Sequence, residues 1–183
     1  MKPRPPRQPP PPGPPPPPRP PGSPHPPGPT EFRHVLGHWS TGVAIVATLT
    51  RSGGPCGLTV NSVAAVSLSP PLVLACLERG ADSHDALRAT GAFSINILAC
   101  GSESVARRFA GDDAPAKFHG IPHHAEVTGV PVLDEALAWV DCRVHADYEG
   151  GDHTIFVGEV LAAGARDGEP LLYHRGRYSG LAE

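Results

Sequence analysis

The sequence predicts a mainly β fold, an antiparallel barrel with a few short helices added to it. Three observations lead there. Short runs rich in Val, Ile, Ala and Thr succeed one another from residue 42 to residue 174, joined by turns such as Arg51-Ser52-Gly53-Gly54 and Glu149-Gly150-Gly151-Asp152. Helical spacing is confined to three brief segments. Neither a βαβ rhythm nor a GxGxxG sequence occurs, which argues against a Rossmann site.

The folded part begins late. Eighteen of the 25 prolines lie between Pro3 and Pro29, in a stretch with no acidic residue. Proline fixes φ and donates no amide hydrogen, so residues 1–29 are expected to form a disordered, polyproline-like tail. Residues 30–183 make one domain. Thr30 is placed to cap a helix over residues 31–39, where Phe32, Val35, Leu36 and Trp39 recur at helical spacing. Residues 42–50 form a strand, and the turn at 51–54 returns the chain into a second strand over 58–68. Ser69-Pro70-Pro71 makes a corner into a third strand at 72–77. Ser83 precedes a short helix at 84–89, which Gly91 ends. Residues 92–98 form another strand, and Ser102 caps a helix at 103–109. The irregular Gly, Pro and His of residues 112–131 predict a loop. Two long strands, 136–148 and 154–165, and a short one at 171–174 complete the chain.

Charge narrows the function. The chain carries −3, but Lys2, Arg4, Arg7 and Arg19 give the tail +4, leaving −7 for the domain. Nucleic-acid binding needs clustered Lys and Arg, so no nucleic-acid role is expected. Cys56, Cys76, Cys100 and Cys142 form no CxxC and sit among apolar neighbours, the pattern of reduced core thiols. No signal-like apolar stretch and no span of about 18 apolar residues occurs, so a cytoplasmic protein without membrane attachment is expected.

The residues that carry chemistry begin with Thr59-Val60-Asn61-Ser62, a polar quartet in an apolar strand. Buried hydroxyl and amide groups need partners. A polar heteroaromatic ligand along the strand would supply them, and so would water if this were the solvent face of an edge strand. Asp82-Ser83 stands where a helix N-terminus can hold a phosphate, although Asp82 would repel one if it pointed inward. In Gly151-Asp152-His153, the carboxylate can orient the imidazole. His119, His123 and His124 match no zinc spacing, so no metal is expected. His38, Ser40 and Thr41 lack the setting of a hydrolase nucleophile.

Cys56 to Leu77 reads CGLTVNSVAAVSLSPPLVLACL. It is followed in order by Arg107-Arg108-Phe109 with Lys117-Phe118, by Gly151-Asp152-His153, and by the closing Tyr173-His174-Arg175-Gly176-Arg177-Tyr178. Over residues 32–181 this resembles the flavin reductase family of FMN-binding split β-barrels. The resemblance implies a homodimer with its flavin site at the subunit interface. FMN or FAD would be bound by Thr59, Val60, Asn61, Ser62, Ser83, Lys117 and Phe118, and NADH or NADPH by Asp152 and His153. The implied reaction is hydride transfer from the nicotinamide to the flavin, with no catalytic side chain. Reduced flavin would then serve a partner monooxygenase. A non-catalytic flavin carrier or sensor, or a self-contained flavoenzyme reducing another small molecule, is the alternative.

Overall fold

Helix α1 (Pro29–Leu36) is the first element in a computed structural model that describes residues 25–111 and 117–181. Most of the predicted tail, residues 1–24, and positions 112–116 of the predicted loop lie outside the described residues. Pro29 takes the first helical position and Gly28 the N-cap, so Thr30 lies inside the helix and does not cap it. The helix stops three residues before Trp39, and none of its side chains is buried.

The strand predicted at 42–50 divides into β1 (Thr41–Gly42) and β2 (Ala44–Leu49). The larger correction concerns residues 58–68, which are not one strand. They split at Asn61-Ser62 into β3 (Pro55–Val60) and β4 (Val63–Leu68). Next come β5 (Pro71–Glu78), α2 (Asp82–Thr90), β6 (Ala92–Leu98) and α3 (Glu103–Ala110). The predicted loop contains β7 (His123–Ala125) and runs into β8 (Pro131–Leu133). The long pair is β9 (Ala136–Gly150) and β10 (His153–Ala165), followed by the β11 (Leu172–His174) and β12 (Arg177–Ser179) hairpin.

Seven strands form one antiparallel sheet in the order β3-β2-β6-β9-β10-β5-β4. Its two edges, β3 and β4, are consecutive in the chain, so the sheet must roll into a barrel whose seam is spanned by Asn61-Ser62. Ser62 carries the β4–β5 ladder one residue past Val63: its Oγ donates to the Cys76 carbonyl at 3.0 Å, and the Cys76 amide donates to the Ser62 carbonyl at 3.3 Å. Asn is a poor strand former, which suits it to this break.

Strand β2 is buried on both faces, which its unbroken apolar run anticipates. Ala44 and Val46 face the barrel interior with Leu77, Phe93, Ile95 and Phe156, and Leu87 of α2 joins them. Ile45 and Ala47 face outward under Ala106 and Phe109 of α3 and Phe118. Gly91, with φ of +69°, ends α2 as its C-cap. No helix among the described residues is long and apolar enough to cross a membrane.

Candidate functional site

As an edge strand, β3 is hydrogen-bonded to a neighbouring strand on one side only. Its open side therefore offers peptide groups to a ligand. Alongside it runs a cleft of about 540 Å³. Cys56, Gly57, Leu58 and Thr59 form one wall, and the β5–α2 turn with the first turn of α2, from Glu78 to Ser83, forms another. The end of α3 and Lys117 close the remaining side. Gly57 is required here, since a Cβ would lie 2.7 Å from the Val46 carbonyl oxygen.

The cleft continues along the strand. A hollow of about 180 Å³ shares Thr59 and Ala110 with it and adds Val60, Asn61, Tyr173 and Tyr178. A third hollow, of about 570 Å³, shares Asn61 and Tyr173 with the second and reaches Trp39, Arg33 and Arg175. The three make one trough running from the start of α2 to the space between α1 and the β11–β12 hairpin.

Of the nine residues that the resemblance assigns to flavin or NAD(P)H, five line this trough: Thr59, Val60, Asn61, Ser83 and Lys117. The Thr59 hydroxyl is already engaged, donating to the Ala106 carbonyl at 2.7 Å and so tying β3 to α3. Lys117 Nζ lies 3.4 Å from the Gly57 carbonyl oxygen. Ser83 is buried in the first turn of α2, where the leading amides have no acceptor within the helix. The remaining four do not line it. Ser62 is turned toward Cys76, and the Phe118 ring is buried edge-on against Phe109 at 4.9 Å. Asp152 and His153 form a hydrogen-bonded pair of 2.7 Å beside the Glu78 wall, where the Arg79 amide donates to the Asp152 carbonyl. That bond and the His153 charge hold the Asp152 carboxyl below its ordinary range, with a weaker pull from Arg33 of α1.

Electrostatics sharpen the picture. Burial pushes the Cys56 thiol up to about 11, the Asp82 carboxylate adds to the rise, and Lys117 opposes it. Asp82 and Lys117 line the cleft with Cys56, and Cys56 is a neutral wall and not a nucleophile at neutral pH. At the other end the Arg107 guanidinium lies 5.2 Å from the centre of the Tyr178 ring while its Nε donates to Glu103 at 2.8 Å. The Tyr178 hydroxyl is raised by burial and by Tyr173. Two wall residues escaped the sequence reading. Glu78 looked like a strand end, and Cys56 looked like a core thiol. Among the histidines, His124 lies between Asp134 at 2.6 Å and Glu126 at 3.3 Å.

The model of the flavin reductase like domain matches residues 36–182. This chain belongs to that family. Over 148 residues it is 45% identical to the reductase component of the 4-nitrophenol 4-monooxygenase/4-nitrocatechol 2-monooxygenase of Rhodococcus opacus, covering 81% of this chain and 78% of the relative. It is 41% identical over 147 residues to the FMN reductase (NADH) of Agrobacterium fabrum, covering 80% and 83%. Among solved structures, the NADH:FAD oxidoreductase of Streptomyces globisporus C-1027, in complex with NAD and FAD fragments, superposes with a TM-score of 0.78. It is 39% identical, with 84% of this chain and 92% of that chain covered.

Proposed function

We infer that this protein is an NAD(P)H:flavin oxidoreductase that supplies reduced FMN or FAD to a partner monooxygenase. The observation that carries the reading is the trough along β3. It joins an open strand edge, a helix start with free amides, and Lys117 in one surface long enough for an extended flavin. The residues present fit such a group, and relatives named as flavin reductases support it.

Flavin bound there supplies the hydride-accepting chemistry. The chain's own residues hold and orient. The open edge of β3 around Val60 and Asn61 offers peptide donors and acceptors to the ring system. Ser83 and Lys117 meet the polar end of the ribityl chain. Tyr173 and Trp39 line the far end of the trough, and the Asp152–His153 pair, beside the Glu78 wall, is assigned to the nicotinamide dinucleotide. No side chain in the trough is needed as an acid or nucleophile.

The working unit is a homodimer. Strand β4 is an exposed edge carrying Val63, Val66 and Leu68, and α1 exposes Phe32, Val35 and Leu36 beside Trp39. Apolar surface of this kind on an unpaired edge calls for a covering partner. A cytoplasmic setting, where NAD(P)H is replenished, accords with four free thiols and no disulfide.

The deciding measurement is steady-state oxidation of NADH and of NADPH with FMN, FAD and riboflavin supplied in turn. Turnover that requires added flavin is expected. Tight flavin binding without oxidation of either nucleotide would instead make the protein a carrier.

A further inference from the structure

The charges at the α2 end of the trough do not suit every flavin equally. Among the described residues, Glu78 and Asp82 line the cleft as carboxylates, against the single ammonium of Lys117. Asp82 is the first residue of α2, with Ala81 as N-cap, and its side chain makes no hydrogen bond among the described residues. It lines the same cleft as Cys56, whose thiol its charge helps to raise. At that position it also offsets the positive end of the helix, the feature that would otherwise attract an anion.

Flavins differ at the matching atom. FMN ends in a phosphate monoester, which carries close to two negative charges at neutral pH because its second ionisation lies near pH 6. In FAD each phosphorus carries one ester and one anhydride bond and a single charge, and riboflavin ends in a neutral hydroxyl. We propose that Asp82 makes this cleft select against a terminal phosphate monoester, so that riboflavin and FAD are held at least as well as FMN. The proposal rests on the reading that the cleft holds the ribityl end of the flavin.

The test is a set of equilibrium titrations of the full-length protein at low salt, following flavin fluorescence with riboflavin, FMN and FAD. Wild type is compared with Asp82→Asn, Asp82→Ser and Lys117→Ala. The wild type is expected to bind FMN no tighter than riboflavin. Removing the Asp82 charge should tighten FMN about tenfold and FAD about threefold, following the phosphate charge, and leave riboflavin within about twofold. Asn and Ser should agree, since charge and not size is at issue.

Wild-type preference for FMN over riboflavin by more than tenfold overturns the proposal. So does an Asp82 variant that shifts all three flavins alike, or none. Lys117→Ala separates the two levels of the argument. If it weakens FMN and FAD while Asp82→Asn changes nothing, the cleft reading stands and the selectivity proposal falls. If neither variant alters any flavin, the cleft does not hold the phosphate, and both fall.

Discussion

Asn61 and His153 sit at different parts of the proposed site, and their substitutions should separate cleanly. Asn61 faces the trough, whereas His153 is paired with Asp152 beside the Glu78 wall. His153→Ala should raise KM for NAD(P)H by about 5- to 150-fold, the loss of one charged or polar hydrogen bond of roughly 1 to 3 kcal/mol, and spare flavin affinity. Asn61→Ala should weaken flavin binding and leave the nicotinamide dependence intact once flavin saturates. Equal loss of flavin binding in both would place His153 in the flavin pocket. The buried thiols give a prediction of a different kind. Burial raises Cys56 to about 11 and Cys142 to about 12 from an ordinary 9.0. Between those values the folded state holds protons that the unfolded chain has lost, so stability falls as pH rises above 9. The slope is up to about 1.4 kcal/mol per pH unit for each thiol. Urea titrations from pH 8 to 11 should show this decline, and Cys142→Ala should flatten it.

Single hydrogen bonds hold the elements around the trough in register. Thr59 anchors α3 to β3 through the Ala106 carbonyl. Thr59→Val should cost about 1 to 2 kcal/mol, visible as a lowered Tm, and weaken flavin binding because the α3 wall loosens. A Tm matching wild type would show that the bond adds nothing. The element pattern also shows what the sequence could reveal. Turn residues and apolar runs located β2, β5, β6, β9 and β10, because those features act within a few residues. The break at Asn61-Ser62 was not legible. The stretch VNSVAAVSL looks continuous, and only the meeting of two distant sheet edges makes it change partners there. The short strands β7, β8 and β12 were missed for a related reason, since two or three residues carry no period of their own. Within the site, Thr59, Asn61 and Ser83 were conspicuous as polar residues in apolar or capping positions. Ser62 and Phe118 looked equally suitable, but the fold pairs one with Cys76 of β5 and uses the other to fill a core.

For the whole molecule, removing residues 1–24 should leave melting temperature and flavin reduction nearly unchanged. Among the described residues, none of the trough precedes Thr30, and a proline-rich basic stretch is poorly suited to bury apolar surface. A large loss of either would show that the tail packs onto the domain. Sedimentation at increasing concentration should return a dimer, and Leu68→Asp together with Val66→Asp on β4 should release monomers. The seam carries a further consequence. The dipeptide that spans the barrel's two edges, Asn61-Ser62, also contributes Asn61 to the trough, so under the proposed flavin site a fluctuation that opens the seam would also disperse the flavin's contacts. The Cys76 amide, which is bonded to Ser62 where the β4–β5 ladder meets the seam, reports opening at that point. Its hydrogen–deuterium exchange should slow as flavin is added, in proportion to one plus the ratio of free flavin to Kd, while amides of surface turns exchange at their former rates. Occupancy would then act as a clasp on the barrel, and the flavin-free protein would be the form most open to proteolysis.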